Sequence, residues 1–162
     1  KLVATVTAQE EVGERGALIA AKQVNPDLAI VFEGCPADDT AETPEMIQSA
    51  MGKGPMLRYF DVSMITNPEF QEYALEIAKI NKIPVQVSVR SGGGTNGMAI
   101  TQVQGAPTIV VGIPVRYAHT PHCYVDFQDY QAAKELVIQL IKNLDADKIQ
   151  ALVQPLSKEW NK

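Results

Sequence analysis

Four side chains in this 162-residue sequence are of types that could bind a metal ion together. Glu10 and Glu11 stand side by side in "VTAQEEVGERGA", Glu33 ends "LAIVFE", and His119 lies in "RYAHTPHCYVDF". Each follows a run of apolar or β-branched residues that reads as a strand, over Leu2–Thr7, Leu28–Phe32 and Thr108–Ile113. Three carboxylates and an imidazole make up a donor set suited to zinc and similar divalent ions. Neighbours on an extended segment point in opposite directions, so Glu10 and Glu11 serve different partners unless the backbone bends, which Gly13 and Gly16 allow. The local alternative is a solvated acidic helix start, where carboxylates meet unpaired N–H groups.

Other candidates are weaker. "SGGGTNG", residues 91–97, could present N–H groups to an anion, but it has neither G-x-G-x-x-G nor G-x-x-x-x-G-K-[ST] spacing, so a structural turn is the default reading. G-x-S-x-G is absent, which leaves covalent catalysis little support. Cys35 and Cys123 lie far apart without C-x-x-C spacing, so neither a zinc knuckle nor a disulfide framework is indicated, and a reducing cytoplasm fits.

These residues need a scaffold of alternating elements. A helix is expected over Glu14–Val24, ended by Asn25-Pro26-Asp27, then "LAIVF" as a strand buried on both faces. Residues 34–54 lack periodicity and read as a long loop that could line a site. "PMLRYF" reads as a short strand, and Asn67-Pro68-Glu69 opens a helix with apolar residues three and four apart, stopped by Pro84. "VQVSV" is a strand leading into a Gly-rich turn that opens a short helix. "TIVVGI" is a buried strand ended by Pro114, and an amphipathic helix spans about Asp129–Leu144 before a polar tail from about Ser157. The expected fold is α/β, a mostly parallel mixed sheet with helices on both faces and functional residues at strand ends.

Bulk composition narrows the partners. A hydrophobic content of 46% supports a core in one domain, and a formal charge of −5 argues against nucleic acid, whose phosphates attract clustered Lys and Arg. No apolar run approaches the roughly 20 residues of a membrane helix, and the N-terminus lacks the zones of a signal peptide.

Taken together, "TAQEEVGERGA", "VFEGCPADDTAETPE", "GKGPMLRYFD", "IPVQVSVRSGGGTNGMAI" and "GIPVRYAHTPHCYVDFQD" resemble, in order and spacing, the glutamyl/deblocking aminopeptidases, which include the TET aminopeptidases and proteins labelled endoglucanase. The resemblance runs from about residue 4 to 145. It implies a zinc-aminopeptidase-like catalytic domain with two divalent metal ions, zinc or cobalt, and a β-rich dimerisation domain inserted in its sequence. By motif, Glu10 matches the general base that activates water held at the metals. Glu11 and His119 match ligands of one metal, and Glu33 matches a ligand of the other, where the family commonly has Asp. Peptides are the implied substrates, and assembly into dimers to dodecamers is implied for the full-length protein.

Two positions depart from the family's pattern: Asn96 stands where an acid is usual in "GGTNG", and Cys123 where a Glu usually follows. The family's remaining ligands, a His and a metal-bridging Asp, lie upstream of the double-Glu motif, and His122 is too close to His119 to replace a ligand from another strand. The resemblance therefore implies that residues 1–162 are the C-terminal part of the catalytic domain, without the inserted domain and N-terminal segment, and inactive alone. Two other readings stay open. One is a non-catalytic relative acting in binding or assembly; the other is a glycoside hydrolase, which adjacent glutamates and an aromatic content of 6% fit poorly.

Overall fold

The computed structural model describes residues 1–153. Helices α1 (Arg15–Val24), α2 (Pro68–Ile80), α3 (Asn96–Gln104), α4 (Phe127–Asn143) and α5 (Ala146–Val153) accompany strands β1 (Ala29–Pro36), β2 (Met56–Phe60), β3 (Gln86–Val89), β4 (Thr108–Arg116) and β5 (Tyr124–Val125). Side-chain caps start three of the helices. The Asn67 side chain accepts from the Phe70 N–H at 2.8 Å, with Pro68 in the first turn. Thr95 accepts from the Gly97 N–H, and Asp126 from the Gln128 N–H. That last cap starts α4 two residues before the expected Asp129. Helix α5 has no counterpart in the sequence-based expectation, and the polar tail from Ser157 lies outside the described residues.

The sheet is mixed, in the order β1-β4-β2-β3 with β5 beside β4. The pairs β1–β4 and β2–β3 are parallel; β2–β4 and β4–β5 are antiparallel. Strand β4 is the centre, and its side chains alternate between two cores. Ile109 and Val111 join Leu57 and the apolar faces of α2, α4 and α5, including Phe70, Ile77, Leu136, Leu140 and Leu152. Val110 faces the other way, with Val31 and Met64, against Met98 and Ile100 of α3. Helices thus cover both faces.

Three local expectations are corrected. Leu2–Thr7 forms no strand: its backbone has no ladder partner among the described residues, and Leu2 and Val6 are exposed. β-branched composition favours an extended chain, but only pairing makes a strand. Strand β1 is not buried on both faces. It is an edge strand among the described residues, so Phe32 remains 48% exposed. Strand β4 does not stop at Pro114. The Val115 carbonyl accepts from Ala37 on the β1 flank, so by alternation Pro114 faces the opposite flank, between the β2 and β5 pairings, where no N–H is required.

The long loop after β1 is pinned rather than loose. Asp38 accepts from the N–H groups of Gln48 and Ser49 and from Arg90. Asp39 accepts from both Nε and Nη2 of Arg116. Gln86 bonds Ala50 through both ends of its amide. Among the described residues, no helix is long and apolar enough to cross a membrane.

Candidate functional site

The double-glutamate segment is a tight turn. The Glu10 carbonyl accepts from Gly13 and Glu14, Gln9 from Arg15, and Ala8 from Gly16 at 3.0 Å. A Cβ on Gly16 would lie 2.4 Å from the Ala8 carbonyl oxygen, so glycine permits this approach. Gln9 and Glu14 take left-handed backbone, with φ of 62° and 48°. Glu10 and Glu11 therefore do not alternate along a strand, nor do they open α1, which begins at Arg15. The bend separates their surroundings: Glu10 is half-buried and Glu11 exposed. Burial, and then the neighbouring charges of Glu11 and Glu14, raise the Glu10 carboxyl above its ordinary range, against the pull of His119 and Arg58.

His119 lies in the loop after β4, again with left-handed backbone at φ 61°, two residues beyond Tyr117 at φ 60°. Its Nε2 comes within 3.2 Å of Glu11 Oε1. Both side chains are more than 70% exposed, so as an ion pair they contribute little to stability. Four of the six non-glycine residues with positive φ among the described residues, Gln9, Glu14, Tyr117 and His119, belong to these two segments. Strained backbone persists where surrounding structure over-determines it, and it gathers at functional sites.

Glu33 has a different setting. Its Oε1 accepts from Arg58 Nη2 at 2.7 Å, and Arg58 Nη1 donates to Asp61 Oδ2 at 2.9 Å. Asp61 is in turn held by the Ser63 N–H, the Ser63 hydroxyl and the Met64 N–H on its other oxygen. Burial pushes the Glu33 carboxyl up to about 7 although Arg58 opposes it; Glu10, Asp61 and Glu11 push the same way as burial. For Asp61 burial also opposes ionisation, but the hydrogen bonds from Ser63 and Arg58 win and hold its carboxyl below the ordinary range.

The donor chemistry admits a divalent ion in part. Two ligands about 2.0–2.1 Å from one zinc ion at the tetrahedral angle are separated by about 3.3 Å, and Glu11 Oε1 and His119 Nε2 are 3.2 Å apart. Among the described residues, however, no group of three or more His, Cys, Asp or Glu side chains gathers as a metal cluster. Glu33 is coupled to Glu10 and Glu11 through its charge, not through a hydrogen bond. His122 and Cys123 are exposed in the same loop as His119, and Asn96 begins α3 with its Oδ1 buried and unpartnered among the described residues. Sequence reasoning assigned no role to Arg58 or Asp61. The available signal was a charged residue inside the apolar strand "MLRYF", with an acid three positions on.

The pattern of the M42 glutamyl aminopeptidase family matches residues 1–136. The glutamyl aminopeptidase of Lactococcus lactis is 30% identical over 91% of this chain and 41% of its own. The structure of a TET aminopeptidase from a marine sediment archaeon of the Thaumarchaeota superposes with a TM-score of 0.87 at 40% identity, covering 91% of this chain and 42% of that one. The TET1 peptidase of Pyrococcus horikoshii, described as assembling into a tetrahedron or a large octahedral shell, gives a TM-score of 0.71 at 29% identity over 85% and 40% of the two chains. The chain spans about two fifths of the length of the curated relatives it matches.

Proposed function

The chain belongs to the M42 glutamyl aminopeptidase family, and from that premise we propose that it supplies the general base and three metal ligands of a metal-dependent aminopeptidase acting on the N-termini of peptides. In this reading the chemistry that two divalent ions, zinc or cobalt, would supply when bound is a lowered pKa for water and polarisation of the scissile carbonyl. Glu11 and His119 would hold one ion, and Glu33 the other.

Glu10 is the proton carrier. It sits next to Glu11 in the same turn yet takes no part in the Glu11–His119 contact. Its raised proton affinity, caused first by burial, suits a base that takes a proton from water and returns it to the leaving amine. The observation that supports the reading most is the convergence of Glu11 and His119 from segments 108 positions apart, beside a partly buried Glu10. Self-association of the whole protein is part of the proposal, by analogy with the assembling TET1 peptidase.

The test is Glu10→Gln in the protein expressed with its full natural sequence and loaded with zinc or cobalt. Turnover of aminoacyl-anilides is expected to fall by about 10²–10⁴-fold, with metal content unchanged. Equal turnover by wild type and variant, or no turnover by either on anilides and short peptides, overturns the reading.

A further inference from the structure

We propose that Arg58 is a positioning residue for Glu33: anchored by Asp61, its guanidinium takes one oxygen of the Glu33 carboxylate and leaves the other free of hydrogen bonds, where it would hold a metal ion. The proposal rests on the reading of Glu33 as a ligand and adds to it the groups that fix its geometry.

Glu33 and Arg58 stand on strands that are not neighbours. Strand β4 runs between β1 and β2, and Gly112 on β4 is opposite both Glu33 and Met56. The contact must therefore reach over β4, a span that a long Arg side chain can make. Gly112 offers no side chain of its own there. The space where its Cβ would stand is taken by Cys35 Sγ and Met56 Cε.

The hydrogen bonds form a directed chain. Three donors from Ser63 and Met64 fix Asp61 Oδ1, Asp61 Oδ2 fixes Arg58 Nη1, and Arg58 Nη2 fixes Glu33 Oε1. Glu33 Oε2 has no hydrogen bond among the described residues. Each terminal nitrogen of Arg58 serves a different carboxylate, which a lysine ammonium, a single point of charge, does not reproduce. Arg58 is buried, at 4% exposure, and its two terminal nitrogens are each held by a different carboxyl group. A buried ion pair is weak evidence for stability, since apolar replacements of similar volume often serve as well or better. A buried guanidinium that fixes one oxygen of a carboxyl group at the edge of a candidate metal site is better explained as orienting a ligand.

The experiment measures zinc affinity and stoichiometry by competition with a chromophoric chelator, in the protein with its full natural sequence. Arg58→Lys keeps the buried positive charge and is expected to retain the wild-type circular dichroism while weakening the affinity for one zinc ion about 10–100-fold. Methylguanidine added to Arg58→Ala is expected to recover part of the lost affinity, a response that loss of structure alone does not give. Wild-type zinc affinity in Arg58→Lys, alongside lost affinity in Glu33→Ala, overturns the role of Arg58 and leaves the ligand reading intact. Wild-type affinity in Glu33→Ala overturns the ligand reading itself.

Discussion

His119 Nε2 stands 3.2 Å from Glu11 Oε1, tying the loop after β4 to the turn before α1. Both groups are exposed, so the contact is worth little as an ion pair in water. If they share an ion, their contributions to metal affinity are coupled. In a double-mutant cycle of Glu11→Gln and His119→Asn on zinc affinity, the coupling energy is expected to exceed about 1 kcal/mol. Additivity within about 0.5 kcal/mol would show that the two side chains do not meet on one ion.

The loop that follows β1 depends on Asp129. Its two carboxylate oxygens accept from the N–H groups of Gly52 and Gly54 at 2.7 Å each, and the side chain is buried. Asp129→Ala leaves two backbone donors without their charged acceptor, and an expected loss of roughly 2–4 kcal/mol follows. Asp129→Asn, which keeps one acceptor oxygen, should fall between. Urea midpoints at unchanged m-value measure both; a loss under about 0.5 kcal/mol for alanine would mean that the loop is held elsewhere.

Gly112 is intolerant of even a methyl group. A Cβ there would lie 2.5 Å from Cys35 Sγ and 3.2 Å from Met56 Cε, inside the packed face of the central strand. Gly112→Ala is expected to destabilise by about 1–3 kcal/mol. Combining it with Cys35→Ala should recover part of the loss by removing the sulfur. Purely additive losses in the thermal midpoints would place the strain somewhere other than this contact.

Acid sensitivity should have an identifiable source in the Asp39–Arg116 pair. The hydrogen bond from Arg116 holds the Asp39 carboxyl below its ordinary range. As pH falls below the ordinary aspartate value of about 3.9, the unfolded chain binds more protons than the folded one. The stabilisation from Asp39 is therefore fully present above that value and is lost as pH falls below it and through the lower folded-state value. Between about pH 5 and pH 2.5 wild type should lose more stability than Asp39→Asn, read as the change in urea midpoint; parallel pH profiles would remove Asp39 as the cause.

Much of the local structure was legible in the sequence because its causes are local. Asn67-Pro68, read as a helix start, caps α2 through a side chain three residues from its target, while Asp126 caps α4 two residues ahead of the expected start. Gly13 supplies a positive φ in the turn before α1. Leu2–Thr7 reads as a strand by composition and fails to be one, because a strand also needs a neighbour. Pro114 looks like a terminator in one dimension, yet its position on the flank between β2 and β5 lets β4 continue.

The sequence alone determined the kinds of groups available: Glu10, Glu11, Glu33 and His119 follow predicted strands, in an order and spacing that resemble the family the chain belongs to. Tertiary structure alone decided which of them meet. It brought Glu11 to His119 across 108 positions. It joined Glu33, across the intervening β4, to Arg58, a residue 25 positions away with no role assigned in advance. Periodicity and capping act within a few residues and leave their mark on short stretches of sequence. Strand order and register are set by the packing of whole faces, and a one-residue slip would send every side chain to the other side.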